Sequence, residues 1–272
     1  MVSEPLPETC CDERPTVWLW EGHAAYCGPS LRLDTHSASV HCFALGLDAP
    51  FTVRSAGAVD RRARSALIPA RTSHQVLAGD GRMMFFYVDP SATASESLFG
   101  QMIDRGTPIA FQHRDETALI SAWNAAPSPD PEIVRLRLLG AVEVDSIDDR
   151  IRAAMRMLRS RPGDQLSAVE IAAAVNLSPS RFLHLFSVHA GTSFRRYRLW
   201  VRMCHAAGAF SNGADLTSAA SEAGFASPSH FSDAFRTMFG LTATALLAGQ
   251  ARIVVSGDEA VVRPRRTRSA PR

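Results

Sequence analysis

The sequence contains no lysine, so every one of its 29 formally basic side chains is arginine. Any attraction to a polyanion must therefore come from arginine, supplemented by nine histidines. No run of 18 uncharged apolar residues occurs, which excludes a helix long and apolar enough to span a membrane. Residues 1–13 are acidic and hold Pro5 and Pro7. They lack the basic start and apolar centre of a secretory leader, so a cytoplasmic, nucleoid-associated protein is expected. The five cysteines (Cys10, Cys11, Cys27, Cys42 and Cys204) are odd in number and scattered, and none forms a CxxC pair. That argues against a disulfide framework. Adjacent Cys10 and Cys11 could bind a soft metal or respond to oxidant, or simply belong to an unremarkable terminus.

What is present is unevenly distributed. The net charge of +2 hides an acidic half and a basic half. Residues 1–149 carry 12 Arg against 20 Asp and Glu, a balance of −8, and residues 150–272 carry 17 Arg against 7 acids, a balance of +10. Such asymmetry suggests that the second half meets a polyanion. From Trp18 to Val88 short apolar runs alternate with turn residues. The runs 39–47, 51–53, 66–68 and 83–88 read as strands, and strands this short and frequent suggest a small barrel or sandwich. After Pro90 helical spacing takes over at 95–104 and 115–125. A Pro-rich break at 127–131 precedes a further helix read over 132–144.

From Asp145 onward the pattern is helical. Ile147, Ile151, Met155 and Leu158 recur at steps of three and four and mark one buried face. Two segments then share a layout, LSAVEIAAAVNLSPSRFLHLFSVH from Leu166 and LTSAASEAGFASPSHFSDAFRTMF from Leu216. Each opens on a hydroxyl read as an N-cap, Ser167 and Thr217, with Glu170 completing a capping box in the first. Small residues follow (Ala172–Ala174 in one, Ala219, Ala220 and Ala223 in the other), which let a second helix cross closely. A tight turn comes next, and Gly224 permits the positive φ it needs. Ser178-Pro179 and Ser227-Pro228, 49 residues apart, each start a new helix with Ser at the N-cap and Pro at the first helical position. One such hairpin could be an ordinary helical pair; two in tandem on a basic background point to DNA. The outward faces carry Ser180, Arg181, Leu183 and His184 in the first and Ser229, His230, Ser232, Asp233 and Arg236 in the second. Near a helix N-terminus, such side chains suit base edges in a major groove.

At these residues the sequence resembles the AraC/XylS family of transcription regulators. The likeness covers about residues 145–247. GFASPSHFSDAFRTMFG resembles the family signature, LSPSRFLHLF the first recognition helix, and GTSFRRY, from Gly191, the start of the long connecting helix. That helix is expected over about 194–210, with Tyr197, Val201, Cys204 and Ala207 on its core face. Two departures stand out: Ala243 follows Gly240-Leu241-Thr242 where the family often has proline, and Asp233 stands where a basic residue is common. The resemblance implies that the connecting helix sets the two readers about one DNA turn apart. Ser167, Thr217, Arg195 and Arg196 are then expected to contact phosphates, and Arg181 and His184 to read bases.

The resemblance also implies an N-terminal sensory domain with a cupin-like barrel. Pro69 to His74 is similar to the second cupin motif, and His36, His41 and Cys42 lie where a first metal motif could be. The HxH pair and its Glu are absent, so no metal or other cofactor is expected. A small organic effector is expected instead, with His74, Phe43 and Phe85 as candidate contacts. The resulting expectation is an α+β protein of two domains. Residues 1–130 form a cupin-like β-barrel with helices for sensing and dimerisation, 131–144 a linker helix, 145–250 an all-α tandem helix-turn-helix domain, and 251–272 a disordered basic tail. Its partners would be double-stranded promoter DNA, a second copy of the chain and, for an activator, RNA polymerase. An enzyme is not expected; the alternatives are a cupin-type metalloenzyme fused to a DNA-binding module and a structural nucleoid protein.

Overall fold

A computed structural model describes residues 14–20, 23–88, 94–105, 108–124, 137–138, 147–163 and 166–255. The N-terminal part is β-rich, with strands β1 (Thr16–Trp20), β2 (His23–Pro29), β3 (His41–Gly46), β4 (Phe51–Ser55), β5 (Arg61–Ala63), β6 (Ser65–Ile68), β7 (His74–Leu77) and β8 (Arg82–Val88). Helix α1 (Ala94–Gly100), strands β9 (Met102–Asp104) and β10 (Ala110–His113), and helix α2 (Glu116–Asn124) follow. The C-terminal part is helical: α3 (Asp149–Ser160), α4 (Ala168–Ala174), α5 (Pro179–Ala190), α6 (Phe194–Ser211), α7 (Leu216–Glu222), α8 (Pro228–Phe239) and α9 (Ala243–Ala248). A last strand, β11 (Arg252–Val255), returns to the N-terminal part.

Eight strands form one sheet in the order β11-β1-β2-β8-β3-β6-β10-β9, and three form a second in the order β5-β4-β7. Successive side chains of a strand leave opposite faces, so register decides which residues meet. Ala44 pairs with Phe85 and Phe43 with Phe86. Phe85, Tyr87, Cys42, Ala44 and Tyr26 thereby lie on the face shared with the small sheet's Phe51, Val53 and Val76 and with the helical domain. Trp18, Ala25, Phe43 and Phe86 face the other way, onto Leu98, Leu119 and Trp123 of α1 and α2. The large sheet is covered on both sides. That is why its central strands read as unbroken apolar runs such as MMFFYV instead of alternating.

Several boundaries differ from the sequence reading. The helix expected over 95–104 stops at Gly100, and β9 occupies Met102–Asp104. Strands β9 and β10 span three and four residues, too short to show a period. The tail expected from 251 instead begins with β11, which pairs parallel to β1, Ile253 opposite Val17 and Val255 opposite Leu19. The helix read over 132–144 lies outside the described residues except for 137 and 138, as do Cys10, Cys11 and the tail beyond Val255.

In the helical part, Asp148 caps α3 by accepting from Arg150 N–H, and Ile151, Ala154, Met155 and Leu158 bury its inner face. The long α6 is buried on more than one side, at Phe194, Tyr197, Trp200, Val201, Met203 and Ala206, because it runs between the two helical hairpins and the sheet. A helix apolar on several sides must be enclosed. Tyr87 of the sheet packs on Trp200 of α6 at 5.9 Å and edge-on to Phe239 of α8 at 5.3 Å.

Candidate functional site

The first hairpin is α4 and α5. Ser167 and Glu170 form the reciprocal capping box: Ser167 Oγ accepts from Glu170 N–H, and the Glu170 carboxylate accepts from Ser167 N–H at 2.7 Å and from its hydroxyl. These bonds hold the Glu170 carboxyl below the usual range. Both polar groups of Ser167, an expected phosphate contact, are thus turned to an acid. The turn passes through Asn176, at φ 55°. Ser178 then caps α5, Pro179 fills its first turn, and Phe182, Leu185, Phe186 and Ala190 pack inward. Phe182, Phe186, Phe194 and Tyr197 stack as one aromatic cluster with centroids 5.4–5.6 Å apart. Ser180, Arg181, Leu183 and His184 are all exposed on the opposite face, and Leu183, 44% exposed, is an apolar side chain left in water there.

The second hairpin, α7 and α8, follows the same plan with one correction. Its N-cap is Asp215, not Thr217: the Asp215 carboxylate accepts from the N–H groups of Thr217 and Ser218. A carboxylate satisfies two orphan amides and suits the positive end of the helix, which leaves Thr217 inside the first turn with its side chain exposed. Gly224 makes the turn at φ +78°, where an added Cβ would stand 2.9 Å from the Gly163 carbonyl. Ser227 caps α8, and Phe231 and Met238 are buried. Ser229, His230, Ser232, Asp233 and Arg236 are exposed. His230 folds back on its own turn, its ring 5.4 Å from that of Phe225.

Two of the arginines expected on DNA are held by the N-terminal part. Residues 34–38, between β2 and β3, grip the end of α8 and the start of α6. Asp34 N–H donates to the Gly240 carbonyl (2.7 Å) and Ser37 N–H to the Thr237 carbonyl (3.1 Å). Arg236 donates to the Asp34 carboxylate (2.6 Å). Arg196 Nη1 donates to Ser37 Oγ (3.2 Å) and to the Ser37 and Ala38 carbonyls. Burial, together with the nearby charge of Arg71, pulls the Arg196 guanidinium below its ordinary pKa. Arg195 remains exposed.

Between the large sheet and the helical part lies a cavity of about 110 Å³. Leu19, Tyr26, Phe85 and Tyr87 wall it from the sheet, Trp200, Met203, Cys204 and Ala207 from α6, and Phe231, Phe235 and Phe239 from α8. Residues of α9, Leu216 of α7 and Ile253 of β11 add to the lining, with Leu31, Leu33 and Leu241 from the connecting segments. Cys204 is half-buried there, with Ala207 beside it.

Residues 171–249 match the family model described as a helix-turn-helix domain. The C-terminal unit is an AraC-type helix-turn-helix domain. Two-domain solved structures share the fold over most of the chain. An apo variant of ToxT from Vibrio cholerae superposes with a TM-score of 0.57 at 11% identity, covering 84% of this chain and 97% of that one. A second ToxT structure from Vibrio cholerae gives 0.56 at 13%, covering 84% and 98%. Wild-type ToxT from Vibrio cholerae with an unsaturated fatty acid bound gives 0.55 at 10%, covering 86% and 96%. No curated protein matches the chain in sequence.

The AraC-type domain meets only one of the three residues expected to contact an effector. Phe85 lines the cavity beside α6 and α8. Phe43 faces away from the cavity: one residue out of phase with Phe85's partner Ala44, it points to the opposite face of the sheet, where it is fully buried against His113. His74 also lies outside the cavity lining. It sits at the start of β7, 1% exposed, exchanging backbone bonds with His36, its Nδ1 donating to the Thr72 carbonyl. The two rings lie 4.3 Å apart. His36 in turn packs against Gly240 of the AraC-type domain. Burial, with the neighbouring His36, lowers the His74 pKa to about 4. Among the described residues no three His, Cys, Asp or Glu side chains stand together so as to hold a metal ion, and no helix is long and apolar enough to cross a membrane. The residues that sequence reasoning missed are Asp34 and Ser37, which lie in an irregular loop without a periodic signal, and the α6 and α8 aromatics that wall the cavity.

Proposed function

We propose that the chain is a sequence-specific, DNA-binding transcription regulator, with α5 and α8 entering successive major grooves. The observation that carries this reading is the pair of capped helices in one AraC-type domain, each with a polar face left open near its N-terminus. Arg181 and His184 on α5 are the base readers. On α8 the readers are Ser229, Ser232 and Asp233, with His230 and Arg236 joining once released from Phe225 and Asp34. Arg195 anchors phosphate, and Arg196 and Thr217 serve as further anchors. The grip of residues 34–38 on Arg196 and Arg236 makes the described arrangement a DNA-incompetent one. An apolar effector in the cavity, which α6 and α8 both line, would bias the balance between this arrangement and an open one, because a ligand shifts an equilibrium only through unequal affinity for its two states. The fatty-acid-bound ToxT structure supports, by analogy of fold, a small-molecule effector with a hydrocarbon part. A homodimer, and RNA polymerase contact by an activator, belong to the same proposal; light scattering and promoter transcription in vitro test them.

The test is selection of DNA from a random pool by the full-length protein at near-physiological salt. The expected result is a motif of two half-elements about one helical turn apart. Arg181→Ala with His184→Ala should relax one half-element, because a bidentate pairing with a base is worth about 1–3 kcal/mol of discrimination, while affinity for random DNA changes little. Selection of no motif at all would remove the proposal.

A further inference from the structure

The lining of the cavity restricts what can occupy it. None of its lining residues is charged. The polar side-chain atoms among them are few: two hydroxyls, the Cys204 thiol and a single N–H donor, the Trp200 indole. Tyr26 Oη donates to the Pro29 carbonyl at 2.7 Å, and Tyr87 pairs across the sheet with Cys42. The arginines on the walling helices are turned elsewhere. Arg195 is exposed and outside the lining, Arg196 is held by Ser37 and Ala38, Arg198 donates to the Leu166 carbonyl, Arg202 lies beside the Gly224 turn, and Arg236 is held by Asp34. On β11, alternation sets Arg252 on the face opposite Ile253, the residue that lines the cavity. With no lysine in the chain, no side-chain ammonium is available either. A buried carboxylate needs a cation or several N–H donors to replace its water, and the walls offer neither.

We propose that the cavity takes a compact, uncharged, hydrocarbon-rich molecule and discriminates against carboxylates. The inference rests on the effector reading above and adds the ligand's chemical class. At about 110 Å³ the space is of the order that accommodates a single aromatic ring. For scale, an apolar cavity of roughly 150 Å³ in another protein stays dry and binds benzene.

The experiment is calorimetric titration of the full-length protein at pH 7.5 with two matched pairs. Isopropylbenzene and benzoate share a ring and a branch point but differ in charge; 1-dodecanol and laurate do the same for a longer chain. Saturable binding of the neutral member of at least one pair is expected, at least tenfold tighter than its carboxylate. Ala207→Phe on α6 and Ala24→Leu on β2, filling the cavity from opposite walls, should each weaken that binding at least tenfold, with circular dichroism showing the fold retained. If a carboxylate binds as tightly as its neutral partner, or tighter, the ligand class is wrong while the effector reading stands. If none of the four binds, or if neither filling variant affects binding, the cavity is not an effector site and both readings fall.

Discussion

Gly240 is the point at which the two parts of the molecule can be uncoupled by a single methyl group. It ends α8 at φ +76°, and a Cβ there would lie 2.6 Å from both the Asp34 carbonyl oxygen and His36 Nδ1. Gly240→Ala therefore has two effects. The left-handed conformation costs an alanine about 1–2 kcal/mol, but that cost falls on closed and open arrangements alike. The collision with Asp34 and His36 exists only while the 34–38 loop is docked, and relieving it requires the loop to retreat. Retreat gives up the Asp34 N–H to Gly240 bond, worth about 1 kcal/mol net. It also gives up the Asp34–Arg236 pair, worth about 0–1 kcal/mol because its side chains are 61% and 62% exposed. The closed arrangement should lose about 1–2 kcal/mol relative to the open one, a factor of about 5–30 in their ratio. Gly213→Ala is the control: it too has a positive φ, +98°, but no atom lies within 4 Å of its added Cβ. Fluorescence anisotropy with the selected DNA should show Gly240→Ala binding several-fold to about 30-fold tighter than Gly213→Ala, although both melt earlier than the parent. Equal or weaker DNA binding by Gly240→Ala would refute the idea that the docked loop opposes DNA binding.

Acid should loosen the N-terminal part well above the usual carboxylate range. Burial lowers the pKa of His41 and His74 to about 4, and lowers those of His36 and His113 as well. The unfolded chain takes up these protons near pH 6.5 while the folded one does not, so stability is full above pH 6.5 and is lost as pH falls towards 4. His41 and His74 should each contribute up to about 3 kcal/mol to that loss; a urea midpoint that stays flat between pH 7 and pH 4.5 would contradict it. Cutting the chain after residue 256 removes Arg263, Arg265, Arg266, Arg268 and Arg272 but spares β11. Cognate and random DNA should then weaken about equally, and the salt dependence should flatten by up to about 4 in log–log slope. Cutting after Gly249 also deletes β11, so a lower melting temperature is expected only for that variant, by calorimetry.

Local features of the helical part were legible because each is encoded within a few adjacent residues. Ser178-Pro179 and Ser227-Pro228 announce helix starts, Ser167 with Glu170 a capping box, and Gly224 a turn with positive φ. The one cap assigned wrongly shows the limit of that reading. Thr217 and Asp215 are both good caps, and the choice went to Asp215, whose carboxylate reaches two amides at once. In the β-rich part the apolar runs marked strands but not faces. A run buried on both sides, such as 82–88, carries no alternation, so nothing in the sequence showed that Phe43 and Phe85 point apart; only the pairing of Ala44 with Phe85 does. Strands of three and four residues left no periodic trace, and Arg252–Val255 was masked by the arginines that follow it.

The features that could regulate the molecule were the least legible, and for one reason: each is made by residues far apart in the chain. Asp34 and Arg236 are separated by 202 positions, and Ser37 and Arg196 by 159. The cavity draws on β1, β2, β8, α6, α7, α8, α9, β11 and connecting segments, and every residue lining it is one that any apolar core would use. What distinguishes the cavity from a core is that its walls belong to two parts of the molecule and leave space between them. Tyr87 touches Trp200 and Phe239 at this seam, and the 34–38 loop clamps the same two helices at the α6 start and the α8 end. An occupant of the cavity and the Asp34 grip would therefore act on the same pair of helices, α6 and α8. On the proposed function the first connects the readers and the second is one of them, so a change at the seam would reach DNA without any longer chain of couplings.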